Sequence, residues 1–324
     1  MASKVTVIGT GNFGSTVAFI LAMRGACHEI VLRGRNVDVA RGKALDMSQA
    51  ANAAREHTIV RAAEKPEDIA GSEIVVITAG APRTPGMSRD DLLIKNAEIV
   101  KTYALEIKEY APDAIVVVVS NPLDVMTYVV HKYTGFPRER ILGMAGILDA
   151  ARMAHFIYEK LGYGAGQIRA TVMGGHGDTM VPLPKFTTVA GVPIDDLLDS
   201  EEIGEIVQKT RNGGAQIVNL LGDGSAYYAP AKSTAVMVDA ILKDTKQIHS
   251  CAMMLDGEYG GYSGIVSGVP VMIGAGGGEQ IIEMTLKTLQ RTRFKNSVAS
   301  VREMVDALYE NGFFDDADKK SKSK

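Results

Sequence analysis

Through the first 145 residues or so, short β-branched and aliphatic runs alternate with longer amphipathic stretches, a pattern that predicts a parallel sheet covered by helices on both faces. The predicted strands are Val5–Ile8, Ile30–Leu32, Ile59–Arg61, Ile74–Ile77 and Ile115–Val119. The last is apolar at every position, which suits a central parallel strand buried on both faces and not a half-exposed one. Helices are predicted over Phe13–Arg24, Val39–Ala50 and Asp90–Tyr110. From Leu148 the character changes: a helix to Leu161, a glycine-rich centre, helices around Glu201–Leu221 and Pro230–Leu242, and short strands between them. The expected fold class is α/β, with an N-terminal doubly wound parallel sheet of the Rossmann type over residues 1–145 and a mixed α/β catalytic domain over 146–313. Residues 314–324 are expected to form a disordered tail, Asp315–Lys324 having no apolar anchor.

Composition narrows the partners. A chain of 324 residues that is 46% hydrophobic has material for about two buried cores, and none of its apolar runs reaches membrane-spanning length. With 35 Lys and Arg against 38 Asp and Glu, it lacks the basic field that draws proteins onto nucleic acid. Its two cysteines, Cys27 and Cys251, have neither disulfide-framework nor zinc spacing, so a reducing, cytoplasmic setting and no metal site are expected. Met1-Ala2-Ser3-Lys4 runs straight into the first predicted strand, so no targeting leader is expected.

The motif Gly9-Thr10-Gly11-Asn12-Phe13-Gly14 follows a predicted strand, opens a helix and begins a βαβ unit, the context a dinucleotide site requires. Gly9 permits the tight turn, Gly11 lets backbone amides approach a pyrophosphate, and Gly14 allows close helix packing at a positively polarised helix end. An NAD site should present an acid to the ribose about 20 residues later, at the end of the second strand. Here Leu32-Arg33-Gly34-Arg35-Asn36 puts a glycine there, flanked by two guanidinium groups. Removing the acid lifts repulsion against a 2′-phosphate, which arginine binds with charge-assisted bonds, so NADP(H) is the expected cofactor. The alternative is NAD, with its ribose held by Asn36 or Asp38 and the arginines merely solvated.

A candidate proton-transfer site lies in Met173-Gly174-Gly175-His176-Gly177-Asp178, where one histidine sits in a glycine-lined turn. Histidine is the side chain whose unperturbed pKa suits proton exchange near neutrality. Upstream, Asp149 and Arg152 are three residues apart in a helical sequence and so share a face. Asp149 would orient the imidazole of His176, and Arg152 would grip a carboxylate with its planar fork. Together these residues point to hydride transfer to or from a small carboxylic acid.

The segments Ala81-Pro82-Arg83-Thr84-Pro85-Gly86-Met87-Ser88-Arg89, Ser120-Asn121-Pro122-Leu123-Asp124, Asp149-x-x-Arg152 and Gly175-His176-Gly177-Asp178 carry a resemblance. The chain is similar to the malate dehydrogenases of the lactate dehydrogenase-like group, from its first strand through Gly276. The resemblance implies a Rossmann domain followed by an α/β catalytic domain, usually assembled as homodimers or homotetramers, and the oxidation of malate to oxaloacetate and its reverse. Arg89 follows a segment with two prolines and a glycine, the composition of a loop able to close over a ligand, and the resemblance implies that it polarises the reacting carbonyl. It also implies that Arg83 binds the second carboxylate, where lactate dehydrogenases place a glutamine, and that the small Ala226 leaves room for the larger substrate. Asn121, before Pro122 at the carboxyl edge of a central strand, is expected to hydrogen-bond substrate near the nicotinamide. Asn96, Val119 and Ser120 complete the expected cofactor contacts. Gly34 departs from the group's pattern of an acid there, which bears on the cofactor and not on the reaction. Rival readings are a lactate dehydrogenase, a dinucleotide- and metal-dependent glycoside hydrolase, and a silent dinucleotide-binding sensor that would not need the pairing of His176 with Asp149.

Overall fold

Strand and helix alternate as the apolar pattern requires. The computed structural model describes residues 3–81, 88–222 and 224–315. In chain order the first half comprises β1 (Lys4–Ile8), α1 (Asn12–Ala22), β2 (Glu29–Arg33), α2 (Val37–Ala53), β3 (Ile59–Ala62), β4 (Ile74–Ile77), α3 (Arg89–Tyr110), β5 (Ile115–Val118), α4 (Leu123–Thr134) and β6 (Ile141–Gly143). All six strands are parallel, in the order β3-β2-β1-β4-β5-β6. Val5 lies beside Ile30 on one side and Ile74 on the other. The residues of β4 are all buried, as are those of β5, the result of helical cover on both faces.

The second half opens with α5 (Gly146–Leu161) and the short strands β7 (Ile168–Arg169), β8 (Val172–Met173), β9 (Val181–Pro182), β10 (Thr188–Val189) and β11 (Val192–Pro193). Then come α6 (Ser200–Leu221), α7 (Tyr228–Leu242), β12 (Gln247–Asp256), the single turn α8 (Glu258–Gly261), β13 (Ser263–Gly274), β14 (Gly277–Ile281) and α9 (Thr288–Glu310). β12, β13 and β14 run antiparallel and extend the first sheet through Ala252 against Gly143 of β6, so one nine-stranded sheet crosses the expected division at residues 145/146. A second, smaller core gathers Met153, Ile157, Val172, Met180, Ile194 and Ile206 around α5 and α6.

Three helices, α4, the single turn α8 and α9, are not in the sequence-based prediction. α4 carries Val125, Thr127, Val129, Val130 and Thr134, whose branched side chains favour strand, but nine of its twelve residues are buried and packing overrides propensity. In α9 the buried positions Phe294, Ser297, Val298, Val301, Val305 and Leu308 recur at helical spacing. α1 stops at Ala22, short of the predicted Arg24, because Gly25 at φ +54° turns the chain away. Beyond the last predicted helix, β12 and β13 are strands of 10 and 12 residues that the sequence-based prediction does not include. Among the described residues no helix is long and apolar enough to cross a membrane.

Candidate active site

The carboxyl ends of β1, β2, β4 and β5 meet at one edge of the sheet, where the strand order reverses and open α/β sheets bind ligands. Gly9 leaves β1 at φ +109°, and a Cβ there would stand 2.4 Å from Thr78 Oγ1 and 2.9 Å from the amide nitrogen of Ala79. A Cβ on Gly14 would stand 1.9 Å from the carbonyl oxygen of Gly9, so the turn and α1 close on each other only with glycine at both places. At Gly11, by contrast, a Cβ would meet nothing within 4 Å. Gly11 caps α1 without any side-chain hydrogen bond, and the first turn holds no acid. This open, uncapped helix start offers backbone donors to an anion and fits a dinucleotide's pyrophosphate. Lys43 of α2 steadies the turn, donating to the Thr10 carbonyl at 2.7 Å and the Ser15 hydroxyl at 2.9 Å.

At the end of β2 the structure separates the two arginines. Arg33 donates through Nε and Nη2 to the carboxylate of Glu106 in α3, at 2.7 and 3.1 Å, and through Nη1 to the Gly34 carbonyl at 3.0 Å. Its fork is therefore already filled by a protein carboxylate, a correction to the expectation that both arginines address a 2′-phosphate. Arg35 is exposed and makes no ion pair with another described residue. Asn36, the alternative ribose ligand, accepts from the Val39 amide at 3.1 Å and caps α2, and Asp38 pairs with Arg41 at 2.9 Å.

After β5 the chain turns through a cis Asn121–Pro122 bond into α4. Asn121 is exposed, and Asn96, 3% exposed, donates to its carbonyl at 2.8 Å while accepting from the Ala81 amide at 2.7 Å. Asn96 is thus spent on the protein and positions the β4 and β5 loops. Ser120 acts similarly, its hydroxyl donating to the Ala79 carbonyl at 2.6 Å, and Val119 is buried.

The predicted convergence of Asp149, Arg152 and His176 is present. Asp149, 1% exposed, receives His176 Nδ1 on Oδ2 at 2.9 Å and Arg152 Nη1 on Oδ1 at 3.2 Å. A carboxylate oxygen only accepts, so Nδ1 carries the proton and Nε2 is left for exchange with a substrate. Burial alone would lower the His176 pKa, but the charge and hydrogen bond of Asp149 and the charge of Asp124 outweigh it and leave the pKa raised. The Arg152 side chain is 14% exposed, and α6 crosses it at a glycine pair: a Cβ on Gly214 would lie 3.4 Å from Nη2, and one on Gly213 3.6 Å from Cδ. A Cβ at either place would be in ordinary van der Waals contact, so α6 packs closely along the Arg152 side chain.

Sequence reasoning passed over the groups that hold the His176 loop. Asp124 Oδ2 accepts from the His176 amide at 2.8 Å, Ser297 of α9 accepts from the Gly175 amide at 2.7 Å, and Gly174 exchanges backbone hydrogen bonds with Gly268 of β13 at 2.8 and 3.2 Å. Asp124 stood inside a motif already singled out; Ser297 and Gly268 gave no local signal. Ala226 is half-buried just before α7. Arg83 and the side chain of Arg89 lie outside the described residues, as do residues 316–324 of the expected tail.

Known proteins match along almost the whole chain. The family model for the NAD-binding domain of lactate/malate dehydrogenases matches residues 3–143, and that for their alpha/beta C-terminal domain matches residues 147–311. The malate dehydrogenase of Sulfurimonas denitrificans is 62% identical over 312 residues, 96% of this chain and 98% of the relative. Among solved structures, the malate dehydrogenase of Cryptosporidium parvum superposes with a TM-score of 0.92 at 36% identity, covering 96% of this chain and 100% of that one. The lactate dehydrogenase of Cryptosporidium parvum, complexed with lactic acid and nicotinamide adenine dinucleotide, gives 0.91 at 36% identity, with 95% and 98% covered. Backbone likeness alone therefore does not choose between the two substrates.

Proposed function

The chain belongs to the lactate/malate dehydrogenase family, and we propose that within it this protein interconverts (S)-malate and oxaloacetate with a nicotinamide dinucleotide. The observation that carries the reading is the chain of contacts from His176 Nδ1 through Asp149 to Arg152. His176 takes the substrate hydroxyl proton at Nε2 and returns it in the reverse direction, while Asp149 holds the ring and favours the imidazolium that forms. Arg152 keeps its remaining nitrogens for the substrate's C1 carboxylate. Arg89 polarises the C2 oxygen, and Asn121 hydrogen-bonds it from the end of β5. When bound, the nicotinamide takes up or delivers the hydride at C2.

Arg83 is assigned the second carboxylate. With pyruvate its guanidinium would be enclosed without a partner, at a cost of several kcal/mol, and each ~1.4 kcal/mol is tenfold in rate. Oxaloacetate should therefore exceed pyruvate in kcat/KM by orders of magnitude. Equal rates would replace this reading with the lactate one.

For the cofactor, Gly9, Thr10, Gly11, Asn12, Phe13 and Gly14 would hold the pyrophosphate, with Asn96, Val119, Ser120 and Asn121 around the nicotinamide. NADP(H) remains the favoured form, supported by the absent acid at Gly34 and the exposed Arg35 and no longer by Arg33. The test is kcat/KM for oxaloacetate reduction with NADPH and with NADH on one preparation; a clear NADH preference would leave an NAD-dependent malate dehydrogenase. The reading carries with it a cytoplasmic homodimer or homotetramer, in keeping with two buried, unbridged cysteines.

A further inference from the structure

The His176 loop touches two aspartates, and only Asp149 takes part in the proposed interconversion of malate and oxaloacetate. A role for the other, Asp124, rests on that same reaction. Asp124, in the first turn of α4, is 4% exposed. Its Oδ2 accepts from the His176 amide, and its Oδ1 is buried with no hydrogen-bond partner among the described residues. A buried carboxylate with one oxygen unsatisfied costs stability, and a leucine or asparagine at that site of α4 would not carry the same penalty. The charged groups around the pair are few: His176 from the loop and Asp149 from α5 face Asp124, and Asp149, Asp124 and Arg152 face His176. Among the described residues no cation from another element neutralises Asp124, so its charge falls on the imidazole. Three residues upstream lies Asn121, so one rigid turn ties the substrate-facing amide to the histidine.

We propose that Asp124 is a positioning residue for proton transfer, fixing the His176 backbone through Oδ2 and, with Asp149, setting how readily the imidazole holds its proton. Burial pushes the Asp124 carboxyl up to about 6, against the pull of the His176 amide and imidazole, while the His176 pKa is raised above its ordinary value. While charged, Asp124 helps hold the proton on His176, and protonating Asp124 weakens that hold.

The experiment is a pH titration by NMR of the protein labelled at histidine with 15N, wild type and the variants D124N and D124A, alongside pH profiles of malate oxidation. D124N keeps an acceptor for the His176 amide but removes the charge, so the imidazole pKa should fall by about half a unit to one unit, with the acid limb of kcat/KM moving equally. D124A removes the acceptor too, and kcat should fall about 10- to 100-fold at every pH while KM for malate changes little, the mark of a displaced base. In the wild type, the His176 amide shift should follow a carboxyl titration distinct from that of the ring. An imidazole pKa that moves by less than about 0.2 units in D124N, or a wild-type amide that reports only the ring, overturns the proposal. The wild-type measurement decides even if neither variant folds. A wild type that turns over no malate with either nucleotide would overturn the functional reading instead and leave the titration to judge Asp124.

Discussion

Gly34 lies directly against Thr10: a Cβ built on it would stand 2.6 Å from Thr10 Oγ1 and 2.8 Å from Thr10 Cγ2. Because threonine branches at Cβ, rotating χ1 exchanges one γ atom for another and opens no room. The missing acid at the end of β2 and the threonine in the glycine turn are therefore one steric unit, and restoring the acid alone should fail. G34D is expected to lose about 1–3 kcal/mol through overpacking, and T10A/G34D to recover most of it. The double variant should also shift kcat/KM toward NADH, since the new carboxylate favours ribose hydroxyls and repels a 2′-phosphate. Thermal melts of both single variants and the double variant give the cycle; strict additivity would mean that the contact carries no weight.

The two arginines beside Gly34 should behave differently. The side chains of Arg33 and Glu106 are 16% and 8% exposed, so their bidentate pair is largely shielded from water. Removing Glu106 leaves a partly buried guanidinium unpaired, and E106A should cost about 2–4 kcal/mol. R33A should destabilise less, because glutamate regains some solvent, and should leave KM for NADPH within about twofold, well under 1 kcal/mol. R35A should leave the melting temperature near wild type and raise KM for NADPH about tenfold, the effect of one charge-assisted bond of roughly 1.5 kcal/mol. A tenfold rise with R33A instead would mean that Arg33 leaves Glu106 for the ligand.

How much of the fold and site was legible depends on distance along the chain. The first five parallel strands, the glycine turn and the pairing of Asp149 with Arg152 rest on periodicities of two to four residues, and the sequence displays them openly; the three-residue β6 is too short to show such a pattern. That His176 lies 2.9 Å from Asp149 was a matter of chemistry, since a histidine in a glycine turn needs an orienting acid. Arg33 misled because its partner, Glu106, is 73 residues away on α3. The extension of the sheet by β12–β14 was hidden for the same reason: strand pairing carries no local mark of its partner. α4 was hidden by composition, its branched residues reading as strand until burial decided otherwise.

The raised pKa of His176 fixes the direction of the pH profiles. Malate oxidation needs the neutral imidazole, so its acid limb should lie above the ordinary histidine value of 6.5; oxaloacetate reduction needs the imidazolium and should persist up to the same raised pH. D149N removes the largest stabiliser of the charged form, so both limbs should move down, with kcat falling by about 10²–10⁴ as orientation is lost. Stability follows the same sign. A folded pKa above the unfolded one means that the contribution of His176 to stability is complete below about 6.5 and is lost as pH rises through the folded value. Melting temperatures of wild type and H176N across that window should converge at high pH; divergence there would contradict a raised pKa.

The hold on the His176 loop from the sheet is made of backbone alone and should be the least forgiving. Gly174 and Gly268 exchange amide hydrogen bonds, and a Cβ on Gly268 would stand 2.3 Å from the Gly174 carbonyl oxygen. No side chain can rotate to relieve that contact, so in G268A either β13 or the loop must move. β13 is buried over nine residues and pairs on both sides, with β12 and β14, whereas the loop is held by small contacts at Gly268, Asp124, Ser297 and Asp149. The loop should yield, carrying His176 off its line to the substrate. G268A is expected to fold, with kcat reduced about 10- to 100-fold, because a displacement near 1 Å at a reacting group costs that much. KM for the dinucleotide should stay within about twofold, since the glycine turn after β1 lies several strands away from Gly268. Steady-state kinetics with both substrates varied would check it, and a wild-type kcat in a folded G268A would show that the loop keeps its place without this pair.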